Sequence, residues 1–154
     1  FINRRAKGTD LIERSLRELK DEGTDFEYVI LENVEHSKAM EELSRSHILI
    51  DQVIDSQKIG IPSIIGLATF EALAMGKVSI STFDQEFRPY YPGCPVITTS
   101  PDAEDLKDTI RRCVSDLSAM RKVGLAGREY VMREHSADQI VKRIVPVYES
   151  LIRG

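Results

Sequence analysis

A chain of 154 residues, 42% hydrophobic and 30% charged, carries enough apolar material for a domain that buries about two thirds of its unfolded surface. A net charge of −4 excludes a general nucleic-acid binder, so any anion site has to be local. Cys94 and Cys113 have neither metal nor redox spacing and read as reduced thiols of a cytoplasmic protein.

The chain opens with Phe1-Ile2 running into Asn3-Arg4-Arg5, without an initiator Met. This start reads as the carboxyl end of a cut strand, basic and polar and unlike a secretory leader, so residues 1–154 are expected to be a single domain excised from a longer chain. Thr9 is placed to cap a helix over residues 9–20, with Leu11, Ile12, Leu16 and Leu19 on one face and Gly23 ending it. The run FEYVILE, residues 26–32, predicts a strand. Ser37 is placed to cap a helix over 38–46, and HILI, residues 47–50, predicts a short buried strand with Asp51 at its carboxyl end.

A loop over 51–65 leads to LATFEALAM, whose Ala, Leu and Met favour a helix that Gly66 opens. KVSIST, residues 77–82, is the next predicted strand, followed by a polar and aromatic loop over 83–95 and a short strand in PVITT. From Pro101 the pattern is helical, in stretches over 101–117, 118–136 and 137–154, and Pro146 is expected to kink or interrupt the last of these. Alternating strands and helices imply an α/β fold, a Rossmann-like doubly wound parallel sheet with helices on both faces. Ligands of such sheets bind at the carboxyl ends of the strands, which here directs attention to residues 3–8, 32–37, 51–66 and 83–93.

The most informative side chain is Glu71, the one ionisable group in the 18-residue run IGIPSIIGLATFEALAMG, residues 59–76. A carboxylate among Ile, Leu, Phe and Met costs several kcal/mol to bury unless strong donors meet it, so it marks either a satisfied interior acid or a cleft. The same run is too short, and too broken by Pro62, Gly66 and Glu71, to span a bilayer. A helix opened by Gly66 offers uncommitted N–H groups and a positive dipole end, suited to phosphate. Helical side chains lean toward the N-terminus, so Glu71 can face back to that end and accept hydrogen bonds from neutral hydroxyls such as a ribose diol.

A second candidate anion site is NRRAKGTD, where Arg4, Arg5 and Lys7 bring cations to a strand end, Arg as a bidentate fork and Lys as a point charge. Basic residues near a terminus are also commonly just solvated. Cations at one strand end and a diol acceptor at another describe two parts of a nucleotide diphosphate. Gly76-Lys77 imitates the end of a phosphate-binding loop, but Glu71 and Val78 stand where that loop needs Gly and Ser or Thr. No Gly-x-Gly-x-x-Gly turn is present, which argues against a nicotinamide cofactor.

NRRAKGTD ahead of a helix, GLATFEALAMGKVSIS, and the closing helices GREYVMREHS and PVYESLI resemble the carboxyl-terminal, donor-binding domain of group 1 retaining glycosyltransferases of the B-type fold. The resemblance implies a domain that binds a nucleotide diphosphate sugar with a UDP, GDP or ADP moiety and moves a hexosyl unit to a glycan or lipid-linked acceptor. It implies that Lys7 and Arg4 stabilise the departing diphosphate catalytically, with Arg5 beside them, and that Gly66, Leu67 and Ala68 lie against phosphate and ribose. Glu71 would bind the ribose hydroxyls, residues 32–37 would border the base, and neither a cofactor nor a metal would be needed.

Many members carry a further Glu eight residues before the ribose-binding one. Here that position is Ser63, in the donor-sugar part of the site, which has no carboxylate for that contact. The resemblance places acceptor binding on an amino-terminal domain outside these residues, so that this fragment alone would be inactive. The whole protein would be cytoplasmic, compatible with peripheral membrane attachment, and concerned with polysaccharide biosynthesis. Two other readings stay open: a non-catalytic nucleotide-binding module, and a sugar-nucleotide epimerase of the same fold. His36, His47 and His135 are expected to be structural or exposed. The stripe Ile140, Ile144, Val147 and Leu151 is expected to be core, or partly exposed where the last helix would cross to another domain.

Overall fold

The computed structural model describes residues 4–153. The expected cut strand at residues 1–2 therefore lies outside the described residues. Three parallel strands, β1 (Ile48–Ile50), β2 (Val78–Ser81) and β3 (Ile97–Thr98), form a sheet in the order β1-β2-β3. Ile48 registers with Val78, Ile50 with Ile80 and Ser81 with Thr98. Eight α-helices are described: α1 (Arg4–Lys7), α2 (Thr9–Asp21), α3 (His36–Arg45), α4 (Ser56–Ile59), α5 (Leu67–Ala74), α6 (Ala103–Ser115), α7 (Leu117–His135) and α8 (Ala137–Arg153).

Side chains alternate across a strand, and β2 uses the alternation to serve two layers. Ile80 enters a core with Ile12, Leu16 and Leu19 of α2 and Leu106, Ile110 and Cys113 of α6. Ser79 turns the other way, where its hydroxyl meets Thr69 Oγ1 of α5 at 2.9 Å. On that second face α7 packs against α5, so helices cover both faces of the sheet as the alternating sequence predicts. Residues 51–54, just past β1, are all buried, and Thr82 N donates to Gln52 O at 2.9 Å, carrying the β1–β2 pairing beyond the strands.

Five expectations change. FEYVILE is not a strand: residues 24–32 are irregular and Tyr28 and Val29 are exposed. A strand exists only as a ladder partner, and among the described residues none lies beside this segment. Its order comes instead from Lys20 Nζ donating to Phe26 O at 2.6 Å and from Phe26 packing on the core. Thr9 is the first residue of α2 and not its cap; that place falls to Gly8, whose left-handed φ of 68° turns the chain out of α1. Helix α3 starts at His36, one residue before the expected cap, and the loop over 51–65 contains α4, capped by Asp55 accepting from Lys58 N at 3.1 Å. Pro146 neither breaks nor ends α8. The carbonyl it frees, that of Lys142, lies on an exposed helix where water can take the missing bond.

Candidate donor site

The candidate site is assembled at the carboxyl end of β1. Val53 N donates to Lys7 O at 3.0 Å, and a Cβ on Gly8 would run into the carbonyl oxygen of Val53, so the Lys7-Gly8 corner is pressed onto the chain leaving the strand. From there Lys7 reaches Asp51, donating from Nζ to Oδ1 at 2.5 Å. The Asp51 side chain is only 3% exposed, and its Oδ2 accepts from Thr69 Oγ1 at 3.0 Å. Strand end, α1 corner and α5 are thus tied through one buried carboxylate.

Gly66 opens α5 in an extended conformation, with φ −81° and ψ 164°. The amides of Thr69 and Phe70 turn back to Gly66 O at 3.1 and 3.4 Å. Those of Gly66, Leu67 and Ala68 have no backbone acceptor among the described residues, as expected for a helix's first N–H groups. A Cβ at position 66 would sit 2.5 Å from Asp51 Oδ2 and 3.5 Å from Lys7 Nζ, so the ammonium lies directly against this helix start. A glycine is required here for space, since its φ suits any residue.

Glu71 lies one turn into α5. Its side chain is 22% exposed, which makes it neither a sealed interior acid nor a freely solvated one. Its Oε1 stands 2.8 Å from Nε2 of His36, the first residue of α3, whose own side chain is 72% exposed. His36 is exposed, one of the two outcomes expected for it, but its pairing with Glu71 is not legible in the sequence, since the partner lies 35 positions away and no local spacing announces it.

The structure does not bring all the expected residues together. Arg4 is turned to carboxylates: it bonds Asp10 at 3.0 Å, Glu13 at 2.6 Å and also Glu32, and the hydrogen bond to Asp10 followed by that to Glu13 raises its pKa further. Its charge is largely spent before any ligand arrives. Arg5 is exposed on α1. Ser63 needs correcting as a contact residue. It has 0% exposure, its hydroxyl lies 2.7 Å from Thr82 Oγ1 and accepts from Gln52 Nε2 at 3.2 Å, and its amide donates to Asp84. The side chain anchors the loop before α5 and presents nothing to the cleft. Asp51, the other missed residue, did carry a signal, being an acid between the apolar runs HILI and Val53-Ile54 at a strand's carboxyl end.

The sequence model of the glycosyl transferase-like family matches residues 11–145. The chain belongs to that family. No curated protein matches the sequence at a significant level. Among solved structures, the glycosyl transferase-like domain superposes on a glycosyltransferase from Rickettsia africae ESF-5 with a TM-score of 0.71 at 18% identity, covering 97% of this chain and 45% of that one. It superposes on sucrose-phosphate synthase from Thermosynechococcus elongatus with a TM-score of 0.65 at 19% identity, covering 92% of this chain and 34% of that one. At these identities the likeness establishes the α/β fold shared with glycosyltransferases, and the chain spans less than half of each protein. No described helix is long and apolar enough to cross a membrane.

Proposed function

We propose that this domain binds the donor of a retaining glycosyltransferase, a nucleotide diphosphate sugar whose hexosyl unit passes to a glycan or lipid-linked acceptor held by another part of the whole protein. One observation carries the reading: Lys7 Nζ is fixed against the open amides of α5, with the partly exposed Glu71 one turn further along the same helix. Ammonium and amides suit a diphosphate leaving group, which needs developing negative charge stabilised as the glycosidic bond breaks; Glu71 suits the ribose diol. The reading draws its leaving-group stabilisation from these groups and requires no metal. Arg5, exposed on the same short helix as Lys7, is the second cation of this reading, whereas Arg4 acts by holding α1 to α2. The exposed stripe of α8, Ile140, Ile144, Val147 and Leu151, is the surface on which the acceptor-binding part would rest.

Calorimetric titration of the intact protein tests it. Glu71→Ala should cost about 1.5 to 3 kcal/mol of nucleotide affinity, roughly 10- to 150-fold. Unchanged affinity removes Glu71, and with it the reading. A thermal-shift panel of UDP, GDP, ADP and their sugars would identify the base.

A second reading, a nucleotide-binding module without turnover, is favoured by Ser63. Its hydroxyl is buried where many group 1 enzymes carry a carboxylate toward the donor sugar. Binding of a nucleotide sugar by the intact protein without hydrolysis or transfer would select it.

A further inference from the structure

Asp51 places a carboxylate 2.5 Å from the one ammonium assigned to the diphosphate, which is a poor arrangement if that site worked by net positive charge. Nor does the rest of the site supply an excess: Arg4 is bound to three carboxylates, and the charge of Arg5 on α1 is matched by that of Glu71 on α5. What Asp51 does supply is geometry. Lysine carries its charge on a flexible four-carbon stem, and an unheld Nζ would be spread over many positions. Asp51 cannot itself wander: it is almost fully buried, Oδ2 is committed to Thr69 Oγ1, Thr69 is paired with Ser79 of β2, and the Asp51 amide donates to Ile80 O at 3.0 Å. Lys7 keeps 30% of its side chain exposed, so only one side of the ammonium is spent on the clamp. The absent Cβ of Gly66 lets the clamp lie directly under the first turn of α5.

We propose that Asp51 is a positioning residue for the phosphate site: it locks Lys7 Nζ beside the free amides of α5 and, through Thr69, ties that position to the helix itself. This rests on the reading of Lys7 as a diphosphate ligand. Binding then depends on aimed hydrogen bonds from a preorganised ammonium and amides more than on net charge, so its dependence on salt is shallow.

A double-mutant cycle on the intact protein tests the proposal, with Lys7→Met, Asp51→Asn, Thr69→Val and the Lys7→Met combinations. Each is titrated with the best-binding of UDP, GDP and ADP, with the matching nucleoside, and with inorganic pyrophosphate. Asp51→Asn is expected to weaken diphosphate binding about tenfold, leave nucleoside binding unchanged and steepen the salt dependence, because the freed ammonium acts as a loose point charge. Thr69→Val, which keeps the Lys7–Asp51 pair and cuts its tie to α5, gives a smaller loss of the same kind and stands in if Asp51→Asn does not fold. In the Lys7→Met background neither substitution weakens diphosphate binding further. Equal losses with and without Lys7 overturn the proposal, since that is how a merely structural acid behaves; so does a diphosphate affinity that Asp51→Asn leaves intact. If Lys7→Met itself leaves diphosphate binding unchanged, the donor reading falls and takes the clamp with it.

Discussion

At the scale of single residues the site is built from paired charges, and the pairs differ in what they are worth. Lys7–Asp51 is held in a buried frame, whereas His36–Glu71 joins a partly exposed carboxylate to a largely exposed ring. Exposed pairs contribute about 0–1 kcal/mol to stability, so His36→Ala should leave the melting temperature nearly unchanged. Its effect should appear in binding: Glu71 loses the group that fixes its rotamer, and nucleotide affinity drops several-fold, by about 0.5–1 kcal/mol. Titration beside a thermal melt checks this, and a large fall in melting temperature with intact affinity would reverse the argument. Legibility at this scale was uneven for a physical reason. The candidates Glu71, Gly66 and Lys7 stand out in the sequence because each breaks a local pattern, whereas His36 becomes a candidate only through a partner brought in by the fold. Asp51 lay between: the rule that a carboxylate in apolar surroundings needs donors, which singled out Glu71, applied to it equally.

At the scale of elements, local signals predicted what local forces decide. The α5 start at Gly66, the helices after Pro101 and the strand over residues 78–81 follow from capping, composition and apolar runs, and all are present. FEYVILE has strand composition and no strand, because pairing is a property of two segments. Helix α7 shows the reverse case, a helix carrying two glycines that propensity penalises. Both serve close approach: a Cβ on Gly124 would run into the carbonyl oxygen of Gly76, and one on Gly127 would sit 2.6 Å from Leu73 Cδ2. The backbone contact is the less forgiving, since a carbonyl at the end of α5 cannot rotate aside as a leucine can. Gly124→Ala should therefore destabilise the domain by about 1–3 kcal/mol despite alanine's better helix propensity. Denaturant melts would show it, and a gain in stability would mean that α7 and the Gly76 turn separate at little cost.

At the scale of the whole molecule, the alternation of helix and strand disclosed the doubly wound α/β fold, while the exposure of α8 could not be read from its stripe, which suits a core equally well. The distribution of titrating groups sets how the molecule responds to pH. Tyr130 is buried against His135, whose Nε2 lies 3.3 Å from the phenol oxygen, and burial foremost, then Cys94, pushes the phenol up to about 12. Burial likewise raises the thiols of Cys94 and Cys113. A group that holds its proton more tightly folded than unfolded stabilises fully below its ordinary pKa and loses that contribution as pH climbs through the folded value. Stability should thus fall on the alkaline side as the thiols pass their ordinary 9.0, and again between the ordinary 10.0 of tyrosine and about 12 for Tyr130. On the acid side the sign reverses. Asp105, held down first by the Ser100 amide, and Glu22 and Glu134, held down by arginines, stabilise above their ordinary values and lose this as pH falls through the lowered ones. Tyr130→Phe separates the limbs. It should lower stability near neutrality by about 1 kcal/mol through the lost hydroxyl contacts, flatten the decline between pH 10 and 12, and leave the carboxylate part of the acid limb untouched. An alkaline decline as steep in Tyr130→Phe as in the parent would place its origin elsewhere than in this phenol.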